Sequence, residues 1–97
     1  MKSTFLPEIQ SFIDYLKFEK RYSAHTIRSY NDDLTQFFDF LDKQFGKPTL
    51  KEISSSFVRS WLASLKDDDV TARTINRKIS TLKSFFKFQL KQGRIEN

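Results

Sequence analysis

Cysteine is absent from the 97-residue sequence, and histidine occurs only once, at position 25. Without cysteine the chain has neither disulfides nor thiolate ligands, and one imidazole cannot build a metal site alone. The acidic run 67–69 is too local to surround a cation. Glycine occurs only at positions 46 and 93, so no glycine-rich loop can cradle a nucleotide phosphate. The sequence therefore predicts neither a metal site nor a cofactor.

Proline is as scarce as glycine, with two residues of each. A protein of many strands needs more turn residues, so this scarcity favours long helices with short connections. No apolar run approaches the ~20 residues that span a bilayer. Residues 1–4 are not followed by the apolar core of a signal peptide. We therefore expect a cytoplasmic protein without a membrane partner.

The hydrophobic pattern predicts a single domain over residues 1–97, because the chain is too short to bury a second core. Apolar residues recur at helical spacing over about 6–21, 24–45, 55–66 and 72–92. Ser23, Ser54 and Thr71 are the predicted N-caps, and Gly46 and Gly93 the predicted stops. We expect an all-α fold, a compact four-helix bundle. Its predicted core faces contain Phe5, Ile9, Phe12, Ile13, Leu16, Ile27, Tyr30, Leu34, Phe37, Phe38, Leu41, Phe45, Phe57, Val58, Trp61, Leu62, Leu65, Ile75, Ile79, Leu82, Phe85, Phe86 and Leu90.

Positive charge is concentrated near the C-terminal end of the sequence. The net charge is +5, yet residues 71–97 hold seven of the 17 Lys and Arg residues and one of the 12 Asp and Glu residues. A localised basic segment is typical of proteins that bind polyanions. A solvated, Lys-rich helix would have the same composition, so the charge distribution alone leaves both interpretations open.

The fourth helix separates two faces when its residues are placed at ~100° intervals. The side opposite its apolar stripe carries cations, hydroxyls and an amide, and it has no acid. A merely solvated helix usually mixes Glu with Lys, because opposite charges three or four residues apart support it. This side therefore favours contact with nucleic-acid phosphates, to which small hydroxyls can also donate. The residues of this face are Arg73, Asn76, Arg77, Ser80, Lys83, Ser84, Lys87 and Lys91.

The outer side of the second helix changes character along its length. It begins with His25, Arg28 and Ser29 and then becomes acidic at Asp32, Asp39 and Asp42. The positive end of the helix dipole would assist phosphate contact in the first two turns, whereas DNA would repel the later acids. We expect this helix to point its N-terminus at DNA and to lead away from it.

Two other functional interpretations remain open at this level. Phe18, Phe40 and Phe88 lie off the apolar stripes, so each either packs on a neighbouring helix or forms a docking surface for another protein. A helical protein-interaction module is therefore the alternative function. A self-contained enzyme is disfavoured, because no nucleophile has a plausible base nearby and His25 is the only imidazole.

Two segments resemble tyrosine recombinases and phage integrases. Residues 18–34, FEKRYSAHTIRSYNDDL, are similar to the family's Ser-x-x-Thr-hydrophobic-x-x-Tyr-x-x-Asp-Leu pattern. Residues 71–88, TARTINRKISTLKSFFKF, are similar to its Thr-hydrophobic-x-Arg-x-hydrophobic-Ser-x-hydrophobic-Lys/Arg-x-Phe helix. Each motif is degenerate, but both occur in the family's order and spacing. One departure is Gln89, where the family usually has an apolar residue, and which we interpret as a surface for the catalytic domain or a neighbouring protomer.

The resemblance implies a SAM-like core-binding domain that clamps double-stranded DNA together with a C-terminal catalytic domain. Its second and fourth helices would meet the major groove and phosphates. Tyr30 also matches a motif position, but it lies on the core stripe, so we interpret it as structural. The family's DNA contacts fall at motif positions that are occupied here by Thr26, Arg28, Ser29, Arg77, Ser80 and Lys83. The complete predicted set of DNA-binding residues is His25, Thr26, Arg28, Ser29, Arg73, Thr74, Asn76, Arg77, Ser80, Lys83, Ser84 and Lys87.

The family's catalytic residues have no counterpart in residues 1–97, and Tyr15, Tyr22 and Tyr30 belong to the binding domain. The resemblance therefore implies a fragment that binds DNA and has no catalytic residues, from a parent that performs DNA recombination or DNA integration. A catalytic domain is expected after Asn97, at an interdomain linker. The early start of the first helix favours a simple Xer-like layout without an arm-binding domain. The expected partners are DNA, the parent's catalytic domain and neighbouring recombinase protomers.

Overall fold

The chain forms four α-helices and one short 3-10 helix in a computed structural model that describes residues 6–95. The helices are α1 (Leu6–Phe18), α2 (Ala24–Phe45), α3 (Ser55–Asp67) and α4 (Ala72–Lys91), with the 3-10 helix over Leu50–Glu52 between α2 and α3. No strand occurs in the described residues. Helices α1, α2 and α4 pack against one another, and α3 packs against α2. The prediction of an all-α four-helix bundle is confirmed.

Two of the three predicted N-caps hold their helices through a side chain. The hydroxyl of Ser23 accepts a hydrogen bond from the Thr26 N–H at 3.2 Å, and that of Thr71 accepts one from the Thr74 N–H at 3.3 Å. Ser54 occupies the N-cap position of α3 but makes no side-chain cap bond, because its hydroxyl pairs with Ser56 at 2.8 Å. The N-cap position predicted for Ser54 is therefore confirmed, although its side chain makes no cap hydrogen bond.

The connections contain structure that periodicity did not predict. Helix α1 ends at Phe18, three residues before the predicted end, and Arg21 adopts a left-handed φ of 55°. The 3-10 helix was also missed, because three residues are too few to show a hydrophobic period. Gly46 and Gly93 have φ values of 70° and 75°, a conformation that glycine adopts at little cost, so both predicted stops are confirmed.

The core is built mainly from the predicted stripes. Four phenylalanines are essentially inaccessible to solvent, and their rings meet edge to face across α1, α2 and α4. Phe45 and Leu90 lie on predicted stripes but are more than a third exposed. The predicted core residue Phe5 lies outside the described residues. The buried apolar set is Ile9, Phe12, Leu16, Leu34, Phe37, Phe38, Leu41, Trp61, Leu65, Ile75, Leu82, Phe85 and Phe88.

Helix α4 buries a wider arc than its apolar stripe, because it packs against both α1 and α2. Phe88 lies off the stripe yet is buried, with its ring 5.5 Å from that of Phe12 and 4.8 Å from that of Tyr15. Phe40 is half-buried and packs against the core, whereas Phe18 is exposed. Of the three off-stripe aromatics, only Phe18 is left at the surface.

Gln89 was predicted to lie at a surface for another domain or protomer, and this prediction is wrong. Its side chain is fully buried and donates to the backbone carbonyl of Glu8 at 3.4 Å. Its carbonyl oxygen accepts from Arg94 at 3.0 Å, and Arg94 also reaches the Ser11 hydroxyl at 3.3 Å. A buried amide must be hydrogen-bonded, and Glu8 on α1 and Arg94 beyond the end of α4 supply its partners.

Candidate nucleic-acid interface

The outward side of α4 presents its cations to solvent. Arg73, Arg77, Lys83 and Lys87 are all exposed, and so is Lys91 one turn beyond Lys87. Asn76 and Ser80 are exposed among them, whereas Thr74 and Ser84 are half-buried. No acid lies on this side of the helix. The cations therefore share one open face, as the helical angles predicted, and none is packed beneath another helix.

The first two turns of α2 contribute a second set of predicted residues. His25 and Arg28 are exposed, while Thr26 and Ser29 are half-buried. The Thr26 hydroxyl accepts a hydrogen bond from the Ser23 hydroxyl at 3.0 Å, so it is partly engaged in the cap. The Thr74 hydroxyl is engaged in the same way by Thr71 at 3.1 Å. Both threonines therefore hold helix starts in addition to facing the surface.

A shallow pocket of about 210 Å³ brings the two sets together. From α2 it is lined by His25, Thr26 and Ser29, and from α4 by Arg77 and Ser80, with Tyr30, Asp33 and Thr81 at its base. Lys87 and Ser84 of α4 border a second cleft towards α1, which is also lined by Lys20, Lys91 and the acidic Glu19. Asn76 lies instead at the edge towards α3. Five of the predicted residues, three from α2 and two from α4, thus meet at one pocket.

Asp33 of α2 joins the two helices beneath this surface. Its side chain is 1% exposed and receives four hydrogen bonds from α4. Arg77 donates from Nη2 at 2.6 Å and from Nε at 3.3 Å, Lys78 donates from Nζ at 2.9 Å, and the Thr81 hydroxyl donates at 2.9 Å. A buried carboxylate is tolerated only when it is paired and hydrogen-bonded in this way. Asp33 therefore fixes the start of α4 against α2.

The environment of Asp33 favours its charged form. Burial by itself would raise the pKa of the carboxyl group, but hydrogen bonds from Arg77, Lys78 and Thr81 and the positive charge of Lys78 outweigh that effect. The pKa of Asp33 consequently lies below its ordinary value. The ion pairs therefore persist at neutral pH and well into the acidic range.

Lys78 is the one cation of α4 that is withdrawn from the surface. Its side chain is 6% exposed and donates to Gln36 at 2.7 Å as well as to Asp33. Its ammonium group also lies 5.8 Å from the centre of the Trp61 ring, within cation–π range. Lys78 thus ties α4 to α2 and α3 and contributes little to the exposed charge.

Sequence reasoning missed the cluster of Asp33, Lys78 and Thr81. It treated Arg77 as a free surface cation, whereas the structure pairs Arg77 with Asp33 and leaves half of its side chain exposed. One signal was present, since Lys78 lies only about 60° around the helix from Ile75 and about 40° from Leu82. A charged residue at a core position requires an opposite charge facing it, and in the fold Asp33 of α2 supplies that charge.

No group of three His, Cys, Asp or Glu side chains that could hold a metal ion occurs in residues 6–95. None of the described helices is long and apolar enough to cross a bilayer.

Comparisons with known proteins agree with the fold and the motifs. Residues 9–93 match the family described as "Phage integrase, N-terminal SAM-like domain". The chain is also similar to proteins named "Tyrosine recombinase XerC": it is 39% identical to that of Halalkalibacterium halodurans over 87% of this chain, and 42% identical to that of Anoxybacillus flavithermus over 84%. It spans 27% of the length of each of these relatives. No solved structure matches the chain. The chain belongs to the phage integrase N-terminal SAM-like domain family.

Proposed function

We propose that residues 1–97 form the DNA-binding domain of a site-specific tyrosine recombinase. The domain grips double-stranded DNA through the outward side of α4 and the first two turns of α2. It has no catalytic residues of its own and acts beside a catalytic domain contributed by the rest of the parent protein. The full recombinase would assemble with neighbouring protomers on DNA and carry out DNA recombination or DNA integration.

The observation that carries this proposal is the exposed, acid-free face of α4. Arg73, Lys83 and Lys87 are open to solvent on a side of α4 that carries no carboxylate, and Arg77, although paired with Asp33 of α2, keeps half of its side chain exposed. Such a face repels itself, and a row of phosphates would relieve the repulsion. The exposed Ser80 adds a short hydroxyl that permits close approach and can donate to a phosphate oxygen.

The second helix supports the same binding mode through its polarity. Its first turn contains no acid, and the Ser23 cap leaves other backbone N–H groups at the positive end of a 22-residue helix. Asp32, Asp39 and Asp42 follow about two, four and five turns after the helix start, where negative charge would be repelled by DNA. The duplex therefore meets α2 at its start, beside Arg77 and Ser80 of α4.

The similarity to proteins named as tyrosine recombinases supports recombination as the process served. The chain corresponds to less than a third of those relatives, so the catalytic residues would belong to the remainder of the parent. The alternative of a protein-interaction module has less support, because Phe88 is buried and Phe40 is half-buried. Only Phe18 of the three aromatics is free to meet a partner at the surface.

The double variant Lys83→Ala/Lys87→Ala tests the proposed face. Both side chains are exposed and lie away from the Asp33 cluster, so the fold is expected to be unaffected. Each lost phosphate contact should reduce the slope of log K against log salt by about 0.9, and binding at about 50 mM salt should weaken at least roughly tenfold. Fluorescence anisotropy with a labelled mixed-sequence duplex, at about 50 and about 200 mM KCl, measures both quantities.

The matched control is Lys43→Ala/Lys51→Ala, which removes the same charge from exposed positions outside the face. This control should keep most of the affinity and the salt slope of the unmodified chain. Equal losses in the two double variants would mean that net charge alone attracts DNA, and the assignment of α4 as the binding face would then be abandoned. An unmodified chain that binds no duplex would overturn the proposed function itself.

A further inference from the structure

We propose that Asp33 is a positioning residue of the DNA interface, which holds the Arg77 guanidinium so that its unused edge faces the duplex. This inference rests on the proposed function and goes beyond it. Asp33 is fully buried and would not touch DNA. It acts through Arg77, the one cation of the face that is held by an ion pair in the described residues.

The geometry of the pair determines which part of Arg77 remains available. Nε and Nη2 both donate to the Asp33 carboxylate, at 3.3 Å and 2.6 Å, so the carboxylate occupies one edge of the planar group. A guanidinium carries five N–H donors in a fixed fork. Two are used here, and Nη1 makes no hydrogen bond to any residue in the range 6–95. Half of the side chain is exposed, so the unused edge lies at the surface.

The remaining contacts of Asp33 prevent the carboxylate from turning. Lys78 donates to Oδ1 at 2.9 Å and Thr81 donates to Oδ2 at 2.9 Å, so both oxygens are held by buried groups. Arg77 is therefore anchored to an immobile partner, in contrast to the free Lys83 and Lys87. A side chain that is ordered before binding loses less rotamer entropy when it contacts a ligand.

The same contacts fix the spacing between the two parts of the interface. Asp33 lies on α2, one turn beyond Ser29, while Arg77 and Thr81 lie on either side of Ser80 on α4. These residues also line one pocket together with His25 and Thr26. Asp33 thus couples the start of α2 to the face of α4, although its negative charge alone would weaken attraction to DNA.

Removing the negative charge of Asp33 should strengthen attraction to DNA, whereas losing its hold on Arg77 should weaken binding. A comparison of Asp33→Asn with Asp32→Asn separates the two effects. Both substitutions add the same charge, but Asp32 is exposed. If only charge mattered, both variants would bind a labelled mixed-sequence duplex at least as tightly as the unmodified chain. We expect Asp32→Asn to do so and Asp33→Asn to bind about three- to tenfold more weakly, through loss of the ordered Arg77.

A double-variant cycle distinguishes positioning from a general effect on the fold. In an Arg77→Ala background, Asp33→Asn should change the dissociation constant no more than Asp32→Asn does, because the residue on which it acts is gone. An equal loss in both backgrounds would assign Asp33 a structural role only and overturn the inference. Tighter binding by Asp33→Asn than by Asp32→Asn would overturn it as well.

Arg77→Lys provides a second measurement should Asp33→Asn fail to fold by circular dichroism. It keeps the charge but lacks the planar fork, so binding should weaken about threefold or more, through loss of the rigid geometry. Unchanged binding by this variant would contradict the inference while leaving the proposed function intact. Absence of duplex binding by the unmodified chain would remove the proposed function and the inference together.

Discussion

Replacing Asp33 with alanine is expected to lower the free energy of unfolding by about 3–5 kcal/mol, because it leaves Lys78 buried without its counter-charge. Among the described residues the Lys78 ammonium group would keep only Gln36 as a hydrogen-bond partner. The Arg77 guanidinium would lose both of its hydrogen bonds to α2. For a domain of this size each kcal/mol corresponds to about 4–8 °C in Tm. Urea denaturation followed by circular dichroism measures the effect.

The control for charge and helix propensity is Asp32→Ala, which alters an exposed neighbour and should change stability by no more than about 0.5 kcal/mol. The effect of Asp33→Ala should also depend on pH. Because the folded pKa of Asp33 is lowered, its stabilisation is complete above the ordinary carboxyl value of about 3.9 and is lost as the pH falls through the folded pKa. The two chains should therefore approach each other in stability in strong acid. A difference that is constant from neutral pH to about pH 2 would contradict the ion-pair explanation.

Phe85→Ala is expected to destabilise the fold by about 3–5 kcal/mol, through lost burial and the cavity left behind. The Phe85 ring is completely buried on α4 and lies 5.5 Å from the ring of Phe12, 5.6 Å from Phe38 and 5.2 Å from Phe86. It therefore joins the helix that carries the cationic face to both α1 and α2. Thermal and urea denaturation measure the loss.

Phe18→Ala is the matched control, because it removes the same side chain from a position that is 68% exposed. Its expected effect on the free energy of unfolding is within about 0.5 kcal/mol. Comparable destabilisation by the two substitutions would contradict the assignment of Phe85 to the centre of the core. It would also weaken the argument that the aromatic core holds α4 in place.

The helices were predictable because their signals are local. Helix α2 begins at Ala24 and ends at Phe45 as predicted, since a serine cap, a long apolar stripe and a terminal glycine all agree. Thr71 marks the start of α4 equally well. The exposed side of α4 was also predictable, because helical angles place Arg73 and Lys87 opposite the stripe, with Lys83 flanking them.

The buried polar residues were not predictable from local signals. Asp33 and Lys78 are 45 positions apart, and each reads as an ordinary charged residue until the two helices are packed together. Gln89 and Phe88 are buried because α4 contacts α1 as well as α2, which a single-stripe interpretation cannot represent. The exposed cations of α4 could thus be predicted from the sequence. The acid that we propose positions Arg77 could be identified only from the packed helices.

The proposed binding function depends on a helix with two chemically different sides. One side of α4 carries Phe85, Phe88 and Leu82 into the core, and the other carries exposed cations. The Asp33 cluster lies at the boundary between them and sets the position of α4 relative to the start of α2. In the proposed function packing and binding are therefore linked, because the residues that fix the helix would also determine which cations reach a duplex.

A nuclear magnetic resonance titration of the ¹⁵N-labelled chain with a short DNA duplex tests the central claim most directly. We predict that amide shifts concentrate in the first two turns of α2, around His25 and Ser29, and along the outward side of α4, from Arg73 to Lys87. The second half of α2 and the whole of α3 should change little. Shifts centred on α3, or on the acidic second half of α2, would contradict the proposed interface.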